Sequence, residues 1–377
     1  MQKLLTLALM AGVLVVVGLQ ASADPIILTP QDYQVLQRGA GDRGAVAVSV
    51  RETPGREVRA RLQVADPSRR GQDTDWVALA PTRTGYAGEI HADAGGWYQL
   101  QVESAGGDGS RAQASVAHVG IGEVFIVAGQ SNAACFGETP QRAQDDRVVA
   151  TDGRSWRPAV DPIAASHGDG NGSPWPILGD MLASSLQVPV AFADIAVGGS
   201  HTCHWLPATR WHYPRLLKLA QRLGRHGVRC VLWHQGEADT AGVMPKTETV
   251  PPQFGREPEQ VYGRMRTIIR SLDEDLDWHL PWMVAQVAWG PNQTVFWPDW
   301  QKEVRAGQAL LWQRGVALRG PTTDDLIGRK WRSKKPFNTI HFNSAGLHAH
   351  AQRWYARLMA EFFTPGRQAA VAQRPAA

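Results

Sequence analysis

The 377-residue chain predicts a doubly wound α/β domain with a parallel sheet, preceded by a small all-β domain. Two rhythms carry this expectation. Up to about Gly120, short runs alternate apolar and polar residues between turns rich in Gly, Pro, Asp and Arg. Beyond Gly120, compact apolar runs alternate with stretches whose apolar residues recur at helical spacing, the pattern of strands joined by crossover helices. A third observation concerns the ends of those runs. Polar, glycine-bearing segments follow several of them directly, where open α/β sheets form their clefts.

Met1 to Ala23 lies outside this scheme. Lys3 supplies a positive start, Leu4 to Leu19 an apolar run, and Ala21-Ser22-Ala23 a small-residue cleavage site before Asp24. The run is short for a membrane span, so residues 1–23 read as a secretory signal peptide and the mature protein as secreted or periplasmic. An uncleaved N-terminal anchor is the alternative. Loss of Lys3 with the leader lowers the formal net charge from +4 to +3. No basic block is long enough to argue for nucleic acid, and after cleavage no membrane partner is expected.

Residues 24–119 form the expected β-sandwich domain. Ala45 to Val50, Val58 to Val64 and Trp97 to Val102 are its clearest strands. Residues 120–365 form the α/β domain. Its strand candidates are Val124–Ala128, Val190–Ala196, Val228–Trp233 and Trp282–Val287. Helices are expected over Pro214–Gly224, Glu257–Leu272 and Ala345–Phe363, each with an apolar face at helical spacing. Residues 366–377, rich in Ala, Gln and Arg, read as a disordered tail. The cysteines Cys135, Cys203 and Cys230 are too few and scattered for a disulfide framework or a zinc site. Cys230 falls in an apolar strand, whereas Cys135 and Cys203 could pair in an oxidising compartment.

Four stretches could carry chemistry. Val124 to Ala128 runs into Gly129-Gln130-Ser131-Asn132, which places Ser131 on a sharp turn at a strand end, at or near the start of a helix. An ordinary junction with a serine cap has the same sequence signature. Gly198-Gly199 follows the next strand, where glycines let backbone N–H groups approach a ligand, or simply make a tight turn. His234-Gln235-Gly236-Glu237 crowds polar groups at the end of an apolar strand. His341 precedes the last helix, with Asn343 or Ser344 as its N-cap.

Together these words, in this order, resemble the SGNH hydrolases, and within them the sialate O-acetylesterase-like carbohydrate esterases. The stretch from Ala94-Gly95-Gly96-Trp97-Tyr98 to Val124 also looks like that family's, so the likeness spans nearly the whole mature chain. It implies a flavodoxin-like doubly wound parallel sheet and a serine esterase that removes O-acetyl groups from a carbohydrate, with no metal or organic cofactor. Ser131 would be the nucleophile and His341 its general base. The oxyanion would be held by the N–H of Ser131, the N–H of Gly199 and the side-chain amide of Gln235, each donor contributing roughly 10²–10³ in rate. Asn132 and Trp205 would contact substrate. A carbohydrate O-acyltransferase of the same fold, or an impaired carbohydrate-binding protein, are the rival readings.

One position departs from the family. An aspartate commonly stands three residues before the histidine, and here that residue is Asn338. An amide cannot balance an imidazolium charge, and in serine proteases the corresponding change costs about 10⁴ in kcat. Glu237 is the first substitute, followed by Asp324, Asp325 and Asp239. The 15 tryptophans, with Trp175, Trp205, Trp211, Trp297 and Trp300 in loops, suggest sugar-stacking faces at a cleft rim, although most should be core. The five cations within Arg329–Lys335 could steer an acidic substrate, or be a solvated loop.

Overall fold

The computed structural model describes residues 24–241, 255–292, 295–335 and 339–364. The expected leader (1–23), the tail (366–377) and Asn338 lie outside the described residues.

From Ile26 to Gly129 every regular element is a strand: β1 (Ile26–Thr29), β2 (Gln34–Gln37), β3 (Arg43–Arg51), β4 (Glu57–Val64), β5 (Val77–Ala78), β6 (Ala80–Thr82), β7 (Gly85–Asp93), β8 (Gly95–Ala105) and β9 (Arg111–Gly129). β1-β3-β7-β6 form one sheet, while β4 and β8 pair onward to the first half of β9. The alternation seen in the sequence sorts side chains between water and a shared interior. Val46, Val48 and Val50 of β3 meet Ala60 and Leu62 of β4, Leu100 of β8 and Ile121 of β9.

β9 does not stop at that interior. Its 19 residues run from the β-rich part straight into the centre of the second sheet, so the boundary expected at 119/120 falls inside one continuous strand. The remaining strands are β10 (Val148–Thr151), β11 (Trp156–Pro158), β12 (Val190–Asp194), β13 (Cys230–His234), β14 (Trp282–Gln286) and β15 (Leu318–Thr322). The helices are α1 (Trp175–Leu186), α2 (Tyr213–Leu223), α3 (Glu237–Thr240), α4 (Pro258–Leu276), α5 (Pro298–Gln313) and α6 (Ser344–Leu358).

The sheet runs β11-β10-β12-β9-β13-β14-β15, all parallel from β10 to β15 with β11 antiparallel at the edge. β9 is its hub. Val124, Ile126 and Ala128 face one core with Leu216 of α2, Met265 of α4 and Leu311 of α5. Phe125 and Val127 face the other, with Leu178 of α1 and Trp354 of α6. An unbroken apolar run is therefore required, because helices cover both faces. After β9 the chain builds β10, β11 and β12 on one side and then β13 on the other. The strand order thus reverses at the carboxyl end of β9, the place where a crevice opens.

Candidate active site

The crevice holds the turn that leaves β9. Gly129 has φ +127°, and a Cβ there would lie 2.1 Å from the His234 carbonyl oxygen, so the residue must be glycine for both reasons. Gln130 N–H donates to His234 O at 3.0 Å, and the N–H groups of Ala133 and Ala134 both donate to Gln130 O at 2.9 Å. These bonds close a single turn over residues 131–134, not the helix expected after Ser131. Ala133, Ala134 and Cys135 are all buried, a pattern without an exposed helical face, and the chain does not become helical until α1. Ser131 is 5% exposed, and among the described residues its N–H has no partner.

Beside it lies the turn after β12. Val197 N–H donates to Gly129 O and Ser200 N–H to Val197 O, which fastens the turn to the end of β9. Gly199 has φ +70° and open space around it, so its glycine answers to conformation alone, as at the third position of a type II turn. Gly198 N–H is taken by Ser166 Oγ at 2.8 Å, whereas Gly199 is exposed and its N–H has no partner among the described residues. Ser131 and Gly199 therefore present two open backbone donors to one crevice.

Gln235 does not join them. Its Nε2 donates to Ser200 O at 2.7 Å and to Gln130 Oε1 at 2.9 Å, which uses both amide protons. The side chain braces the two turns instead of facing an oxyanion. Gln130, which sequence reasoning passed over, is pinned in turn. Its Oε1 accepts from Gln235 Nε2, Gly236 N–H and Ala238 N–H, and its own Nε2 has no partner among the described residues.

His341 reaches the same end of the sheet from the loop before α6, which Asn343 caps by accepting from Gly346 N–H at 2.9 Å. Arg332 moulds this loop. Buried, it donates to the carbonyls of Leu326, Ile340 and Thr323, and its guanidinium stacks 3.9 Å from the Phe342 ring centroid. The one basic residue of the 329–335 run that is buried is thus structural, with desolvation lowering its pKa to about 10. Asn132 ties the loop to the Ser131 turn: its Nδ2 donates to Glu237 Oε1 at 2.7 Å and lies 3.4 Å from Ile340 O. That nitrogen makes Asn132 a brace between the two loops, which leaves only its Oδ1 for the substrate contact expected of it. Phe136 closes the other side. Its ring sits 5.3 Å from that of His341, and a Cβ on Gly198 would meet it at 2.2 Å. One aromatic ring thus separates His341 from the Gly198-Gly199 turn.

Glu237 opens α3 beneath this assembly, almost fully buried. Burial disfavours its charge, but His234 and then Asn132 outweigh that and hold the carboxyl below its ordinary range. His234 Nε2 lies 3.3 Å from Glu237 Oε1, and His234 Nδ1 lies 3.1 Å from His350 Nε2. Trp354 Nε1–H donates to that same His350 nitrogen at 3.0 Å, so the nitrogen is an acceptor and His234 Nδ1 carries a hydrogen toward it. Among the described residues, Glu237 Oε2 has no partner. Burial pushes the His341 pKa down to about 4; the Glu237 charge pulls it up, and Arg332 adds to the fall.

The other carboxylates stand elsewhere. Asp239 accepts from Thr202 N–H at 2.9 Å and lies 3.6 Å from His201. Asp325 pairs with Arg353 and is largely exposed. Asp324 accepts from Ala288 N–H; burial, then the Glu237 charge, pushes it up to about 6. Glu237 is the candidate bonded to the Ser131 turn. Among the tryptophans, Trp205 is corrected from a rim residue to core: it is 0% exposed, wedged against Trp233, with Nε1–H donating to Ser200 Oγ. Trp175 likewise is buried, its Nε1–H on Ala133 O. Trp211 and Trp297 are exposed, and Trp300 lies under Arg256. All three cysteines are buried and unbridged.

Residues 121–360 match the family of carbohydrate esterases described as sialic acid-specific acetylesterases. A carbohydrate acetylesterase from Xanthomonas citri has a similar structure, with a TM-score of 0.52 at 17% identity over 87% of this chain and 73% of that one. An Arabidopsis thaliana protein aligns with a TM-score of 0.47 at 17% identity, over 64% of this chain and 98% of its own. A carbohydrate acetylesterase from Sinorhizobium meliloti gives 0.36 at 15% identity, over 62% and 99%. No curated protein sequence matches the chain. The family match covers well over half of the chain, which therefore belongs to the sialic acid-specific acetylesterase family of carbohydrate esterases and is a carboxylic ester hydrolase.

Proposed function

We propose that the protein is an exported esterase that removes O-acetyl groups from a carbohydrate through an acetyl-Ser131 intermediate. The observation that carries this reading is the pair of unpartnered N–H groups, on Ser131 and Gly199, at the carboxyl end of β9 beside the His341 loop. Ser131 Oγ attacks the ester carbonyl while His341 takes its proton. The tetrahedral oxyanion is held by the two N–H groups, and His341 returns the proton to the departing sugar oxygen. Water, deprotonated by His341, then attacks the acyl carbon and releases acetate and free Ser131. His341 is neutral at ordinary pH and so competent as a base. Glu237 stabilises the imidazolium by charge and, through Asn132, holds the two loops in register. Export rests on the 1–23 leader, and the β-rich part before β9 is read as a domain that supports the catalytic one.

The test is acetate release from p-nitrophenyl acetate and from acetylated sugars, with acetylation of the Ser131 peptide followed by mass spectrometry. Ser131→Ala should lower kcat by roughly 10⁴–10⁶ and leave no acetylated peptide. Equal rates in the two proteins would remove Ser131 from the mechanism. Recovery of the chain with Met1–Ala23 intact in the cytoplasm would refute export.

A further inference from the structure

A second cavity, of about 500 Å³, opens at the carboxyl ends of β10 and β12, next to the ester site but not part of it. Arg215, Lys218 and Arg222 line it from a single face of α2, and Arg154 faces them from the turn after β10. The spacing of the three helix residues puts their heads together, while Leu216 and Ala220 are buried on another face of the helix. None of these four side chains makes a hydrogen bond or ion pair among the described residues. Several arginines elsewhere are paired, among them Arg147 with Asp145, Arg314 with Glu259 and Arg353 with Asp325. Four unpaired cations in one groove of a chain whose formal net charge is only +4 is a local concentration, not a general excess.

The carboxyls in the groove do not cancel it. Asp152 accepts the N–H groups of Arg154 and Ser155 on Oδ1, bonds that favour its charged form, so it sets one negative charge against four positive ones. Asp194, at the end of β12, is buried; its Oδ1 accepts from Ala196 N–H at 2.9 Å and its Oδ2 has no hydrogen-bond partner among the described residues. Burial drives the pKa of this carboxyl well above its ordinary range, while the charge of Arg215 pulls it back. The groove has a small apolar floor of Ala150, Ile163 and Ala164 under a cationic rim.

Both walls continue into the ester site. Ile163 to Ala165 lead to Ser166, whose Oγ accepts from Gly198 N–H. Ile195 leads to Val197 and Gly199, four residues on, which caps the separation of Ile195 and Gly199 at about 14 Å. A chain molecule with its ester over Ser131 would pass from one to the other. Guanidinium forks and an ammonium around a floor of this size match a carboxylate carried on a sugar ring.

We propose that this groove is a subsite for a uronate residue of a polymeric carbohydrate, binding its carboxylate beyond the sugar whose acetyl ester reaches Ser131. The proposal rests on the glycan-esterase reading for its substrate, but its binding step can be tested apart from turnover. The purified Ser131→Ala protein would be titrated calorimetrically with unacetylated trigalacturonate and with maltotriose, at low and at raised NaCl. Trigalacturonate should bind, more weakly as salt rises, and maltotriose should not. Combining Arg215→Gln, Lys218→Gln and Arg222→Gln should weaken trigalacturonate binding about 10-fold or more, the loss expected for charge-assisted hydrogen bonds. These residues are exposed, so circular dichroism should show an unaltered fold. With Ser131 restored, the triple variant should raise KM about as much on acetylated oligogalacturonide and leave p-nitrophenyl acetate hydrolysis unchanged. Absent trigalacturonate binding, or binding that the triple variant leaves intact, overturns the subsite even where p-nitrophenyl acetate is hydrolysed normally. Hydrolysis that survives Ser131→Ala would instead overturn the esterase mechanism and leave the binding result standing.

Discussion

Two buried glutamates flank the central strand, one at each end of its parallel half, and they are treated in opposite ways. Glu123, on β9, is fully enclosed, and every lone pair it offers is met. Arg38 Nε donates to Oε1 at 2.6 Å, Arg229 Nε to Oε2 at 2.7 Å, and Gln37 Nε2 to Oε2 at 3.0 Å. Burial works against its charge, yet the two guanidiniums hold its pKa below the usual range. Glu237, beneath the crevice at the other end, keeps one oxygen shared by Asn132 and His234 and the other bare. The saturated carboxylate stitches β2, β9 and β13 together. The undersaturated one has charge left over, and that charge acts on His341. Between these two glutamates the difference lies in how completely each is satisfied and not in burial, which they share.

Breaking each carboxylate should therefore read out in different observables. Glu237→Gln keeps the shape and one acceptor oxygen but removes the charge. We expect kcat to fall by about 10²–10⁴, approaching the loss seen when a triad carboxylate becomes an amide. Thermal stability should change much less, because Oε1 can still accept from Asn132. Steady-state kinetics beside a melting curve checks both halves. A large fall in stability with little change in kcat would place Glu237 with the structural carboxylates.

Glu123→Gln should do the reverse. It leaves Arg38 and Arg229 facing a neutral amide in a dry site, a change that costs about 3–5 kcal/mol when one partner of a buried pair is lost. Denaturant unfolding should show that loss, while kcat per folded molecule stays near that of the parent. Since the folded-state pKa of Glu123 is depressed, its contribution is present above the ordinary glutamate range and is lost as pH falls through the lower folded value.

What the sequence disclosed about this contrast has a physical limit. The strands at Val124, Val190, Cys230 and Trp282 were legible because covered parallel strands must be apolar, and the turns after them because glycine and polar residues interrupt those runs. β10 is only four residues long, and β15 carries Arg319, Gly320 and Pro321, so neither reads as an apolar run. α1 was missed because Trp175, Pro176, Leu178, Leu182 and Ala183 bury more than a stripe, which blurs its periodicity. Chain position also showed which residues could reach the crevice, but not which protons were already spent. Gln235 arrives at the right strand end and uses both amide hydrogens on its neighbours. Trp205 follows Gly199 closely and turns inward against Trp233. Phe136 carries no motif of its own. Its role exists only because Gly198 leaves it room.

The smallest effect is the most discriminating, because it tests whether the spare charge of Glu237 is felt at His341. An exposed histidine titrates near pH 6.5, and a base that must be neutral would then lose activity on acidification through that value. His341 is pushed by burial down to about 4, so kcat/KM should hold through pH 5 and fall only near 4. Stability follows the same sign. The unfolded chain binds this proton near pH 6.5 and the folded chain does not, so acidification between those values favours unfolding, and the profile must be taken where the fold is shown to persist. Glu237 opposes the fall, since its negative charge favours the imidazolium. Glu237→Gln should therefore move the acid limb lower still, whereas Glu123→Gln should leave it in place. A limb near 6.5 in the parent would mean that His341 is solvated or is not the base. A limb that rises in Glu237→Gln would mean that the carboxylate does not support the imidazolium, and the two glutamates would then differ only in how completely they are bonded.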